Sequence, residues 1–283
     1  MMTTSRVAES RAGAGSFGFA DRPGDPERSL RVWYYRPALP IRAAQVVFVM
    51  HGVKRDAEYY RDTWQDAAER FGFLLLCPEF PARTYPRRAY QLGNLVDENR
   101  RPLPEAEWSF ATIERLFDAV REATGSPVER YSIYGHSAGG QFVHRLAMFA
   151  PGPRCATAVA ANTGWYTMPA FTGKRFPYGL RRSGLPERRL EQAFGRRLVV
   201  LLGENDTDPG DPHLRRSAGA DEQGSNRFER GRTFYATALR EAGRLGVKLE
   251  WELETVPGAA HFDPQMMPAA ARILSESRDH SGL

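Results

Sequence analysis

The chain has 283 residues, 42% of them hydrophobic and 11% aromatic, which is enough for one large or two small domains with a sizeable core and excludes wholesale disorder. The formal charge of +5 comes from arginine, because only Lys54, Lys174 and Lys248 are lysine among 39 basic residues, and these are scattered among 34 acids. A coding bias towards arginine accounts for such scatter at least as well as a polyanion partner does, so no nucleic-acid partner is expected.

The two cysteines, Cys77 and Cys155, each sit in an apolar strand-like run and read as buried free thiols. The first twenty residues lack the apolar central region of an export signal, so a cytoplasmic protein is expected. No run approaches eighteen apolar residues, so no membrane span is expected.

Residues 1–15 read as a mobile leader, polar and rich in Gly and Ala. Gly13-Ala-Gly15-Ser-Phe-Gly18 matches the dinucleotide pattern G-x-G-x-x-G, but no strand precedes it and turn residues follow it, so it is rejected. Residues 16–20 and 30–35 read as strands. The run QVVFVM at 45–50 is wholly apolar, as in a strand covered on both faces, and leads into His51-Gly52-Val53. Helical spacing over 56–71 and 108–124 brackets a strand at 73–77 and an irregular stretch, 78–104.

Residues 131–134 then form a strand that runs into Gly135-His136-Ser137-Ala138-Gly139, followed by a helix on Phe142, Val143, Leu146 and Phe149. This is G-x-S-x-G in its required context. A serine on so sharp a strand-to-helix turn needs neighbours without a Cβ two residues to either side, and the turn aims the Ala138 N–H at an anion forming beside the hydroxyl. A strand at 155–161, a cap-like insertion at 162–195 rich in aromatics, Pro and Gly, and a strand at 197–203 follow. The chain closes with a helix at 228–245, a strand at 248–256 and a helix from 264 to about 275. This alternation predicts an α/β fold: a mainly parallel central sheet flanked by helices in a single domain over 16–278. Every candidate residue falls at a C-terminal strand end, where such sheets bind ligands.

A serine nucleophile needs a base, and the base needs an orienting acid. Asp206 follows the strand at 197–203, with Asp208 as the alternative in the same loop, and His261 follows the last strand. Among the other histidines, His51 reads as structural, His136 as pointing away from the nucleophile's side of its turn, His144 as a core residue, and His213 and His280 as solvated. Val53 and Ala138 supply the backbone donors for an oxyanion. Trp165 and Tyr166, just past a strand end, are candidates for the acyl or alcohol pocket, equally readable as packing residues. The acids at 206, 208 and 211 lack the remaining ligands of an EF-hand, and no His/Cys cluster has zinc spacing, so no metal is expected.

With His51-Gly52, the serine turn, Gly203-x-x-Asp206 and His261 in order, the chain resembles the α/β-hydrolase serine esterases. Tyr59-Tyr60-Arg61-Asp62-Thr63-Trp64, Asn162-Thr-Gly-Trp165-Tyr166 and Asp206-Thr-Asp208-Pro209 are similar to segments of the bacterial polyhydroxyalkanoate-depolymerase and feruloyl-esterase-like branch. The resemblance implies hydrolysis of a small or oligomeric carboxylic ester through an acyl-enzyme on Ser137, His261 and Asp206, without cofactor. It leaves open a peptidase or thioesterase on the same residues, or a silent hydrolase-fold binding protein.

Overall fold

The computed structural model describes residues 11–21 and 28–276. Its strands are β1 (Gly13–Ala20), β2 (Ser29–Arg36), β3 (Gln45–Met50), β4 (Phe73–Glu79), β5 (Tyr131–His136), β6 (Cys155–Ala161), β7 (Arg197–Gly203) and β8 (Trp251–Val256). They form one eight-stranded sheet in the order β1-β2-β4-β3-β5-β6-β7-β8. The pairs β1/β2 and β2/β4 are antiparallel and all others parallel, as the alternation of elements predicts. The longer helices are α1 (Ala57–Phe71), α2 (Ser109–Thr124), α3 (Ala138–Phe149), α4 (Glu187–Phe194), α5 (Arg227–Leu245) and α6 (Asp263–Ser275).

The apolar run of β3 shows why these strands must be central. Val46, Phe48 and Met50 enter one core with α2, α3, α4 and α5, while Val47 and Val49 enter the other with α1 and α6. Successive side chains point to opposite faces, so a strand with no polar position requires a layer on each. Helix α5 starts where the sequence supplies a cap: Asn226 Oδ1 accepts the Glu229 N–H at 2.9 Å. Cys77 and Cys155 are buried free thiols. No helix among the described residues is long and apolar enough to cross a membrane.

Two expectations change. Strand β1 begins at Gly13, inside the stretch read as a leader, because its register with β2 runs from Gly13 opposite Arg36. Pairing across an edge, which local polarity does not reveal, decides that boundary; residues 1–10 of the leader lie outside the described residues. The stretch read as a cap-like insertion ends in α4, whose Leu190, Ala193 and Phe194 are buried in the core beside α3. That helix belongs to the flanking layer.

Candidate active site

Ser137 stands between β5 and α3 at φ 56°, ψ −107°, a conformation that costs about 1–3 kcal/mol and persists only where the surroundings enforce it. Its neighbours enforce it by close approach. A Cβ on Gly135 would overlap the Gly139 backbone, and one on Gly139 would overlap the Met50 carbonyl oxygen and reach 3.0 Å from that of His51. Gly139→Ala should therefore lower unfolding stability by about 2–4 kcal/mol, measured by urea titration, because rigid backbone rather than a movable side chain is in the way. A loss below about 0.5 kcal/mol would show that the turn can relax.

Three side chains from three strand ends meet here. His261 Nδ1–H donates to Asp206 Oδ2 at 2.8 Å, and Ser137 Oγ donates to His261 Nε2 at 3.0 Å. Asp206 is buried, and its carboxylate fixes the imidazole tautomer. Asp208 does not reach the histidine: it is exposed, and its Oδ1 accepts the Gly210 N–H at 2.8 Å in a local turn. Val53 and Ala138 both line the same pocket, and neither backbone N–H makes a turn or loop hydrogen bond among the described residues. The pocket has a volume of about 670 Å³.

Supporting contacts explain why these groups hold still. Asp206 Oδ1 accepts from Arg227 Nη1 at 3.2 Å, and the same nitrogen bonds Asp211 Oδ2 at 2.7 Å. Asn162, at the end of β6, accepts the Gly203 N–H at 2.8 Å and donates to Ala260 O at 2.9 Å, joining the loops that carry Asp206 and His261. Beneath the Gly52–Val53 turn, His51 Nδ1–H donates to Gly52 O and its Nε2 accepts the Phe80 N–H, while the Tyr90 hydroxyl donates to His51 O. Burial holds the His51 imidazole down to about 3, hence neutral, as this pattern requires. Arg55 is structural too, capping Phe80 O and Tyr85 O from above the Tyr90 ring.

The structure corrects two readings. His136 does not point away from the nucleophile's side: it lines the pocket, and its ring packs on that of His261 with centroids 4.7 Å apart. Burial keeps it neutral, and the Tyr60 hydroxyl and His136 Nδ1 share a hydrogen bond of 3.2 Å. Tyr60 also lies against Gly52, so one phenol braces both the histidine's backing and the turn that presents Val53. Tyr60→Phe should cost about 1 kcal/mol of stability and lower kcat severalfold with KM little changed, as read from steady-state kinetics; an unchanged kcat would reduce Tyr60 to packing. The second correction is Tyr166, which is fully buried and stacked on Phe234 at 4.5 Å, whereas Trp165 lines the pocket. Adjacent residues of a non-helical stretch face opposite ways, so only one of the pair reaches the cavity.

The remaining histidines divide as their positions suggest. His144 is buried, with Nδ1 on Gly140 O and Nε2 accepting the Thr167 N–H. His213 is exposed at the pocket mouth, and His280 lies outside the described residues. Sequence reasoning gave no role to Arg227, Asn162 or Tyr60, although Tyr60 and Asn162 lie in segments that carry the family likeness and Asn162 is also a polar residue directly after an apolar strand.

The sheet order, the serine turn and the Ser–His–Asp contact define an α/β-hydrolase. The chain is 42% identical to poly(aspartic acid) hydrolase-1 from Sphingomonas sp. KT-1, with a TM-score of 0.89 over 94% of this chain and 99% of that one. It is 33% identical to the poly(3-hydroxybutyrate) depolymerase LpqC from Bordetella parapertussis, with a TM-score of 0.89 over 96% of this chain and 93% of that one. An S-formylglutathione hydrolase from Agrobacterium tumefaciens, 15% identical with a TM-score of 0.61 over 96% of this chain and 98% of its own, shares the fold. No protein-family model and no curated protein matches the chain. The chain belongs to the depolymerase-like branch of the α/β-hydrolases and is a hydrolase.

Proposed function

We propose that this protein hydrolyses carboxylic esters through an acyl-enzyme. The observation that carries the reading is the unbroken chain from Ser137 Oγ through His261 to Asp206, at 3.0 and 2.8 Å, opening on a pocket lined by Val53 and Ala138. Ser137 Oγ attacks the ester carbonyl as His261 Nε2 takes its proton, and the Val53 and Ala138 amides receive the oxyanion. His261 then returns the proton to the departing alcohol, and water repeats the sequence to free the acid. Asp206 holds His261 and stabilises the imidazolium, with Arg227 holding Asp206. Trp165 forms one wall of the substrate pocket, and the stretch leading to α4 acts as its cap.

Amide hydrolysis on the same residues is the second reading, favoured by the 42% identity to a hydrolase named for poly(aspartic acid), an amide-linked polymer. A fluorophosphonate probe with mass mapping, beside p-nitrophenyl esters and anilides of graded acyl length, tests both. Labelling at Ser137 with ester turnover is expected. Folded protein that neither labels nor turns over would instead be a silent binding module.

A further inference from the structure

The pocket is electrically lopsided. Asp56 and Asp263, at the starts of α1 and α6, stand near Tyr60, and Lys54 lines the pocket as well. Arg87, Trp165 and Arg215 also line it and are grouped together. Arg87 and Arg215 have no carboxylate within ion-pair distance among the described residues. Behind them Arg145 is fully buried, and it too has no carboxylate partner. Its Nε donates to Thr167 Oγ1 at 2.9 Å and its Nη1 to the carbonyls of Gln91 and Gln141, while Nη2 finds no partner. The Arg145 and Arg87 guanidiniums both pack on Trp165, with Cζ atoms 4.4 and 5.5 Å from the ring centroid.

Two guanidiniums on one indole, with Arg215 close enough to Arg87 to repel it, oppose one another without a carboxylate among the described residues. Arg145 and Arg87 repel, as do Arg87 and Arg215, and burial adds to the cost for Arg145, while Arg87 and Arg215 are exposed at the pocket. Against partial burial, which raises it, the Tyr178 hydroxyl is pulled below its usual range first by its hydrogen bond with Ser217 and then by the Arg215 and Arg87 guanidiniums beside it. A fold tolerates such a cluster where an anion completes it, and a planar guanidinium is suited to carboxylate.

We propose that Arg87, stacked on Trp165 and backed by Arg145, and its neighbour Arg215 form a subsite for a carboxylate carried by the substrate, so that the preferred substrate is an anionic ester. This rests on the hydrolytic reading above and selects among its substrates: a polymer or half-ester bearing free carboxylates is taken in preference to a neutral polyester. The two relatives at 42% and 33% identity are named for substrates on either side of that divide, and this pocket stands on the charged side.

Mono-p-nitrophenyl adipate and p-nitrophenyl hexanoate, similar in length but different in charge, make the test in low salt. The half-ester is expected to be preferred by about tenfold or more in kcat/KM, mainly through KM, and 0.5 M NaCl to erode that preference. Arg87→Gln with Arg215→Gln should collapse the ratio between the two esters, and Arg87→Lys should restore part of it. A ratio near one for the wild-type protein, or a ratio unmoved in the double variant, overturns the subsite. Calorimetry of adipate with Ser137→Ala separates this from the fate of the esterase reading. Adipate binding that the arginine variants abolish keeps the subsite even if no ester turns over, and absence of binding removes the subsite even if neutral esters are cleaved.

Discussion

Ser137→Ala should keep its fold and lose about 10⁴-fold or more in kcat for a p-nitrophenyl ester, leaving only what the oxyanion donors and binding contribute. The alanine retains a Cβ, so the strained backbone at φ 56° is unrelieved and unfolding stability should change by less than about 1 kcal/mol. Ser137 and His261 act as one unit, joined at 3.0 Å, so His261→Ala should cost a comparable factor and the double variant little more than either single one. Stopped-flow measurement of the p-nitrophenol burst reads this directly: wild-type protein should show a burst of one equivalent where deacylation is slow, and neither variant any. A Ser137→Ala protein within tenfold of wild type would place the nucleophile elsewhere. Asp206→Ala should carry a second penalty, because it strips one carboxylate from Arg227, which is itself buried.

The second large effect concerns acid stability. His51, His136 and His144 are buried, and desolvation holds all three below the ordinary imidazole value, His51 at about 3. Below about pH 6.5 the unfolded chain binds protons at these positions that the folded protein refuses, so stability is lost as pH falls. Asp263 works in the opposite sense. Burial raises its carboxyl to about 7, against the opposing pull of Tyr134, whose hydroxyl donates to Oδ1 at 2.5 Å, and of the Trp64 indole. Its folded value lies above the unfolded one, so its contribution is full at low pH and declines as pH rises from about 4 to about 7. Three protons against one leave a net uptake of about two on unfolding near pH 5.5, or about 3 kcal/mol lost per pH unit. Urea midpoints should show that slope around pH 5.5 and level off above about pH 7, and Asp263→Asn should steepen it to about three protons near pH 5.5. A flat profile from pH 5 to 7 would mean that these imidazoles are charged in the folded protein.

The fold was legible wherever one strand or helix announces itself locally. The run at 45–50, the helical spacing of 56–71 and the serine turn each state their structure locally. Asp206 and His261 were legible because a small-residue loop after an apolar strand is where this sheet exposes side chains. The pocket was less so, since its walls are made of residues far apart in sequence: Arg87 and Arg145 meet Trp165 only through the packing of loops on α3. His136 was misread for a related reason. Alternation along β5 gives the face of a side chain but not what a distant loop lays upon it, and here that loop brings His261.

The contact between Asp206 and Arg227 reaches beyond the acid it steadies. The Phe228 N–H also donates to Asp206 O at 3.2 Å, so side chain and backbone together clasp the two ends of the intervening loop like the neck of a bag. What lies beyond the neck, including His213 and Arg215 at the pocket mouth, is tied back to it through Asp211, whose Oδ2 accepts from Arg227 Nη1 at 2.7 Å, and to the pocket wall through Gln223, which bonds the Tyr166 backbone. Doubling the length of such a pinned loop costs only about 0.6 kcal/mol in closure entropy. Between those anchors the region is a cassette: sequence around His213 and Arg215 can be exchanged to retune what the mouth admits, provided Asp211 and Gln223 are kept.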